Sequence, residues 1–243
     1  MNGYRQKIYK KYASCFKNSD TVFNEVKARR WGCLYKSYLR RWLPENKNSS
    51  ILDVACGGGN LLFSLKNSGY NNITGVDISP EQIQLSKQVI ENVVEADVLD
   101  FIKNSDNKYE LIIGLDFIEH LNKNEILDFL EYAYQLLKPG GRIILQTINA
   151  QSPFGLNIFA GDLTHQTFFT PCLLENLLKL HGFENIQVRP AGPVVHGLVS
   201  LIRFGIWKCL SLILKIWNFV ETGGCDSPVF TRVFLISACK NEE

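Results

Sequence analysis

Ile51-Leu52-Asp53-Val54-Ala55-Cys56-Gly57-Gly58-Gly59-Asn60 decides the fold of this 243-residue chain. The stretch begins as a short apolar run, breaks into three glycines, and resumes as Leu61-Leu62-Phe63-Ser64-Leu65, with leucines at helical spacing. That pattern is a buried strand, a tight turn and a helix start. Glycine lets a backbone approach a ligand because no Cβ intervenes. The N–H groups of a helix start favour negative or electron-rich groups. The turn therefore reads as nucleotide-binding, and its spacing excludes two common kinds. A dinucleotide turn, G-x-G-x-x-G, needs its last glycine where Leu62 stands, and a phosphate-gripping loop needs a lysine after the glycines.

Downstream, Asn72-Ile73-Thr74-Gly75-Val76-Asp77 is a second apolar strand ending in an acid. Ser79 then reads as an N-cap, with Pro80 at the first helical position and Gln82 closing a capping box. A carboxylate at this strand end can accept from both hydroxyls of a ribose, since it offers two oxygens. Residues 93–98 form a third strand with Asp97 at its end, and Tyr109–Leu115 a fourth, followed by the charged turn Asp116-Phe117-Ile118-Glu119-His120. A helix from Asn124 to Leu137 runs into Lys138-Pro139-Gly140-Gly141, which should stop it and turn the chain into a fifth strand, Arg142–Ile148. Strands alternating with helices, with acids closing the first four strands, predict an open parallel sheet wound on both faces. Such sheets bind ligands at the carboxyl ends of their strands.

Upstream, residues 1–48 read as a basic helical cap over the pocket, ahead of a domain over 49–243. Tyr4, Ile8, Tyr12 and Phe16 recur every four residues, and Val22, Val26, Leu34, Tyr38 and Trp42 mark a second run. The cap holds twelve Lys and Arg against three acids, a net +9 that leaves −7 for the rest of a chain of net charge +2. Such a distribution suggests an anionic partner. Seven scattered cysteines without metal spacing, and no apolar core of a signal peptide at the N-terminus, predict a reduced, cytoplasmic protein.

Residues 149–170 read as a lid loop over the pocket mouth. Thr170-Pro171 starts a helix that ends at Gly182, and strands follow at Glu184–Val188 and Thr231–Cys239. Between these strands lies an insertion, 194–228. Its apolar run Leu198–Val220 is long enough to raise a membrane span, but Arg203, Lys208 and Lys215 interrupt it. Ser200, Arg203, Lys208, Ser211, Lys215 and Asn218 share one arc, so the segment predicts an amphipathic helix. Its wide apolar face is expected to pack on the domain or on a second subunit of a homodimer. Contact with a membrane surface, which Trp207 and Trp217 would suit, is the second reading.

Asp53 followed by Ala55-Cys56-Gly57-Gly58-Gly59 resembles motif I of the class I S-adenosylmethionine-dependent methyltransferases, D-x-[GA]-x-G-x-G, with Ala55 where glycine is commoner. Leu136-Leu137-Lys138-Pro139-Gly140-Gly141 before a strand is similar to the same family. The resemblance implies a Rossmann-like, doubly wound, mostly parallel seven-stranded sheet, with helices on both faces and the last strand antiparallel. It implies S-adenosylmethionine as cofactor, leaving as S-adenosylhomocysteine. The cofactor would be bound by Asp53, Ala55, Cys56, Gly57, Gly59, Asp77, Ile78, Asp97, Val98 and Leu115, with Asp77 on the ribose and Asp97 on the adenine amino group.

Methyl transfer is an in-line displacement, so the protein aligns the nucleophile and excludes water. A hydroxyl acceptor also needs a base. His120 beside Glu119, and His165 beside Asp162, are the catalytic candidates; His181 and His196 have no such context. Asp116, Glu119 and His120 also resemble a divalent-metal motif of ubiquinone-biosynthesis O-methyltransferases, but relatives without metal carry the triplet, and no metal is assigned.

In the C-terminal third, D-L-T-H-x-x-F-F-T-P from Asp162, G-P-V-x-H-G from Gly192, S-L-I-R from Ser200 and V-E-T-G-G from Val220 look like methyltransferases of bacterial capsule and surface-polysaccharide clusters. The expected acceptor is then a sugar, a nucleotide-activated sugar or a phosphoramidate-type substituent, its anionic group paired by Arg29, Arg30, Arg40 or Arg41. The alternative is a quinone or lipid O-methyltransferase lying on the membrane surface. A non-catalytic module is disfavoured by the complete set Asp53, Gly57, Gly59, Asp77 and Asp97. Nucleic acid is not expected, since no recognised binding motif is present.

Overall fold

The computed structural model describes residues 3–16, 22–224 and 229–242; Lys17, Asp20 and Cys225, counted above, lie outside them. Three helices lead the chain: α1 (Gly3–Tyr9), α2 (Tyr12–Phe16) and α3 (Glu25–Tyr38). The alternating body follows: β1 (Ile51–Val54), α4 (Asn60–Lys66), β2 (Ile73–Asp77), α5 (Pro80–Ser86), β3 (Val93–Glu95), α6 (Val98–Lys103) and β4 (Tyr109–Leu115). A 3-10 turn at Ile118–His120 leads to α7 (Lys123–Leu136) and β5 (Leu137–Ile148). The rest is α8 (Gly155–Phe159), α9 (Pro171–Leu180), β6 (Glu184–Pro190), α10 (Leu198–Thr222) and β7 (Val233–Cys239).

The seven strands form one sheet in the order β3-β2-β1-β4-β5-β7-β6. The first five run parallel, and β7 inserts antiparallel between β5 and β6. β1 is buried along its whole length, because helices cover both faces, which is why it is apolar apart from Asp53. Side chains alternate between two cores. Leu52, Ile112, Leu145 and Phe234 belong to one, and Ile51, Leu111, Ile144 and Leu235 to the other. The strand order reverses between β1 and β4. That switch point opens a crevice at the carboxyl ends of these strands.

α3 packs closely on α4 at Gly32, where a Cβ would lie 2.9 Å from Ser64 Oγ. Its start is capped by Asn24, which accepts from Lys27 N at 3.0 Å. Two expectations need correction. The four-residue recurrence near the N-terminus is not one helix but α1 and α2, broken at the turn Lys10-Lys11. Lys138-Pro139-Gly140-Gly141 is not a turn ahead of the strand. It lies inside β5 as an irregularity, since Tyr109 pairs with Leu137 while Leu111 already pairs with Arg142. Gly140 is left-handed there (φ 70°).

α10 departs furthest from expectation. No described helix is long and apolar enough to cross a membrane, in line with its three interrupting cations. Its wide apolar face, however, does not pack on the domain. Leu198, Ile206, Ile213 and Trp217 are exposed, and the covered stripe is Ser200, Phe204, Trp207, Ser211, Leu214 and Asn218. This stripe alternates Ser200, Ser211 and Asn218 with Phe204, Trp207 and Leu214, while Arg203, Lys208 and Lys215 stay exposed, so only a narrow mixed stripe turns inward and the wide apolar face turns outward.

Candidate active site

A cavity of 760 Å³ opens at the carboxyl ends of β1–β4, beneath the N-terminal helices and the 149–170 loop. Within five residues after β1, Ala55 (φ 58°), Gly57 (φ 53°) and Gly59 (φ 87°) are left-handed. Ala55 thus holds a conformation that glycine adopts without strain, which explains why glycine is commoner there. Gly57 N and Ser79 N each donate to the Asp77 carboxylate at 2.8 Å. Asp77 therefore ties the glycine turn to the start of α5. It also replaces the cap expected of Ser79, whose side chain makes no cap bond and whose Oγ is buried without a partner.

Asp53 is buried, and its Oδ2 has no hydrogen-bond partner. Burial, helped by nearby Asp77, pushes its carboxyl well above the usual carboxylate range. Asp97 caps α6, accepting from Leu99 N at 2.9 Å. Ala55, Cys56, Gly57, Ile78, Val98 and Leu115 line the cavity with these acids. Gly59 does not; it packs on α5, where a Cβ would lie 3.1 Å from Ser86 Cα. Gly58 lines the cavity in its place.

At the end of β4, Asp116 is also left-handed (φ 53°). Its Oδ1 accepts from Gln146 Nε2 at 2.8 Å, and Gln146 Oε1 accepts from Tyr35 OH at 2.9 Å. Tyr35 stacks on Trp31 at 3.7 Å, and both line the cavity. This chain latches α3 to the sheet.

The four catalytic candidates converge. Glu119, His120, Asp162 and His165 all line the cavity. Glu119 is buried and accepts from Thr147 Oγ1 at 2.9 Å. Thr164 Oγ1 donates to Asp162 Oδ1 at 2.6 Å and lies 2.8 Å from His120 Nδ1. Since the threonine proton goes to the carboxylate, the bond to His120 places the imidazole proton on Nδ1. His165 Nδ1 lies 2.8 Å from the Phe159 carbonyl, which can only accept. Burial works to raise the Asp162 carboxyl, but hydrogen bonds from Thr164 and Tyr12 and the nearby His120 outweigh it and hold the group below its ordinary value. Tyr12 OH reaches it at 2.7 Å.

The sequence reading missed Arg5, Tyr9, Tyr12, Trp31, Tyr35 and Thr164. Buried Arg5 fastens the cap, donating to Glu125 Oε1 at 2.9 Å and to the His120 carbonyl at 2.7 Å. Tyr9, its phenol pushed up to about 12 by burial, lies beside His120 with ring centroids 6.4 Å apart. The recurrence of Tyr4, Ile8 and Tyr12 marked this face without saying what it met. The cations expected to meet an anionic acceptor are elsewhere: Arg29 pairs with Glu25 at 3.2 Å, and Arg30, Arg40 and Arg41 do not line the cavity. Arg5 and Lys27 do.

Residues 27–188 match the family described as methyltransferase domain, and the chain belongs to that family. The likeness to solved structures shows the same fold. A SAM-dependent methyltransferase from Archaeoglobus fulgidus superposes with TM-score 0.65 at 24% identity, covering 89% of this chain and 97% of that one. A Haemonchus contortus phosphoethanolamine N-methyltransferase does so with TM-score 0.64 at 15% identity, covering 96% and 60%. By family and fold this is an S-adenosylmethionine-dependent methyltransferase. The residues present fit that cofactor: the buried Asp53 Oδ2 has no hydrogen-bond partner at the edge of the cavity, and left-handed backbone opens the turn.

Among curated proteins, the ubiquinone biosynthesis O-methyltransferase of Hydrogenovibrio crunogenus is 26% identical over 155 residues, 56% of this chain and 62% of that protein. The mitochondrial ubiquinone biosynthesis O-methyltransferase of Mus musculus is 29% identical over 154 residues, 55% and 41%. The chain thus spans 41–62% of the length of these two relatives. Relatives so named, in bacteria and eukaryotes, overturn the expectation of a capsule-sugar or phosphoramidate acceptor. The Asp162–Thr167 segment packs against His120, and Arg29, Arg30, Arg40 and Arg41 stand outside the cavity.

Proposed function

We propose that this chain methylates a phenolic hydroxyl of a quinone precursor. The run of ubiquinone-biosynthesis O-methyltransferases among its relatives carries this reading. The cavity supports it with aromatic walls from Tyr9, Tyr12, Trp31, Tyr35 and Phe117. Bound S-adenosylmethionine supplies an electrophilic methyl. Asp77, with a second lone pair on each oxygen, takes the ribose, and Asp97 takes the adenine amino group. Ile78 and Val98 flank the ring, while Ala55, Cys56, Gly57 and Leu115 line the methionine side, where Asp53 meets the ammonium. Residues 1–48 act as a cap and the 149–170 loop as a lid. The six described cysteines are free, which suits a cytoplasmic setting.

A phenol with a pKa of about 10 is protonated at neutral pH, so transfer needs a proton acceptor. His120 fills this role. Its Nδ1 proton is held by Thr164, so the ring keeps its lone pair on Nε2, and ionised Asp162 stabilises the imidazolium through Thr164. The cap excludes water.

One observation favours a second reading. Glu119, His120 and His165 each place a ligand atom within 4.8 Å of the others, and both imidazoles are oriented through Nδ1, as metal-bound histidines are. A divalent cation there would lower the hydroxyl pKa directly.

The test is methyl transfer by the purified chain to prenylated catechols, nucleotide sugars and phosphoethanolamine, with and without chelator. Turnover of the catechol alone supports the proposal, and turnover of another acceptor in its place sinks it. Activity lost on chelation and restored by Mg²⁺ or Zn²⁺ transfers the role of His120 to the metal.

A further inference from the structure

We propose that α10 docks this enzyme on an anionic lipid surface through its outward apolar face. The inference stands on the helix itself and does not depend on the acceptor. An amphipathic helix that belongs to a core turns its apolar side inward; α10 buries only a narrow stripe that mixes Phe204, Trp207 and Leu214 with polar residues, and leaves its wide apolar face outward. At ~100° per residue, Leu198, Ile202, Ile206, Ile213, Ile216 and Val220 share one face, and each is more than half exposed. The opposite stripe carries Ser200, which bonds to the Gly197 carbonyl at 2.8 Å. It also carries Trp207, whose Nε1 lies 3.4 Å from the Cβ position of Gly192.

The charges beside this face choose the occupant. Arg203 stands at one edge and Lys208 and Lys215 at the other, against one acid in the helix, Glu221 in its last turn, which accepts from Trp217 Nε1 at 3.2 Å. All three cations are exposed. A second copy bound about a two-fold axis would present the same face, setting cationic rim against cationic rim. Anionic headgroups match this rim, and long basic side chains reach them while the face between sinks into the acyl boundary. Trp217, 67% exposed, supplies an aromatic ring suited to the interface. No residue of α10 lines the cofactor cavity, so docking and cofactor binding are separable.

The experiment is co-sedimentation of the full chain with vesicles of phosphatidylcholine alone or with phosphatidylglycerol, beside light scattering to read its mass. The wild type should bind the phosphatidylglycerol vesicles, less tightly as salt rises. Lys208→Gln with Lys215→Gln should weaken that binding about 25-fold, at roughly fivefold per charge near the surface. Ile206→Glu with Ile213→Glu should abolish it. Both double variants should keep the wild-type affinity for S-adenosylhomocysteine by calorimetry, which shows that they fold. Failure of the wild type to bind phosphatidylglycerol vesicles overturns the proposal. So does binding that ignores the lysine changes. A stable dimer that the isoleucine changes dissociate, without vesicle binding, assigns the face to a second copy instead.

Discussion

Replacing Asp77 by Asn tests the central connection of the cofactor site. The carboxylate receives Gly57 N on one oxygen and Ser79 N on the other, each at 2.8 Å. Asparagine keeps one acceptor and turns the other into an NH₂ group, so whichever way it flips, one backbone N–H faces a donor. A hydrogen bond to a charged group contributes about 1.5–3 kcal/mol. Losing one should lower the melting temperature without cofactor by about 3–12 °C, at about 2–4 °C per kcal/mol for a domain of this size. The same change removes a ribose acceptor and loosens the turn that the cofactor meets. Calorimetry should therefore show S-adenosylhomocysteine binding roughly 10- to 150-fold weaker, the same energy converted at about 1.4 kcal/mol per tenfold. An unchanged melting temperature together with a dissociation constant within twofold of wild type would refute the view that Asp77 joins the glycine turn to α5 and the cofactor.

Three further outcomes follow from the same geometry. Thr164→Val should lower kcat for a phenolic acceptor by about 10²-fold, within the range a general base supplies, with KM little changed, and Thr164→Ser should restore it; equal rates for Val and Ser would break the proposed link from His120 to Asp162. Gly59→Ala should lose about 2–4 kcal/mol in urea unfolding, since the new Cβ meets Ser86 Cα at 3.1 Å from a left-handed backbone. Burial raises the Glu110 carboxyl, but hydrogen bonds from Lys138 and Ser50 outweigh it and bring the pKa to about 2. Its contribution is present above the unfolded value of about 4.3 and is lost as pH falls toward 2. Between pH 5 and 2 the wild-type urea midpoint should therefore drop further than that of Glu110→Gln. The difference should be small and sensitive to salt, because the pair with Lys138 is partly exposed.

The histidine cluster shows how residue type and residue contact part company. His120, His165, Glu119 and Asp162 could be chosen from their places after β4 and in the 149–170 loop. Thr164 could not, because its role depends on meeting a residue 44 positions away. The same holds for Arg5 and Glu125, 120 positions apart. The basic cap misled for the opposite reason: charge can be counted along a chain, but the direction in which Arg29, Arg30, Arg40 and Arg41 point cannot.

What this sequence determined alone is what short-range periodicity encodes. It set the strand–turn–helix at Ile51–Leu65, the parallel sheet with acids at its strand ends, and the existence of an amphipathic helix over 198–220. These patterns lie within a few residues, where backbone sterics and side-chain spacing act directly. The tertiary structure alone decided which chains of hydrogen bonds close across the cavity, and that α10 turns its apolar side to the outside. Hydropathy spacing defines a face but carries no information about which neighbour, if any, the rest of the chain brings against it.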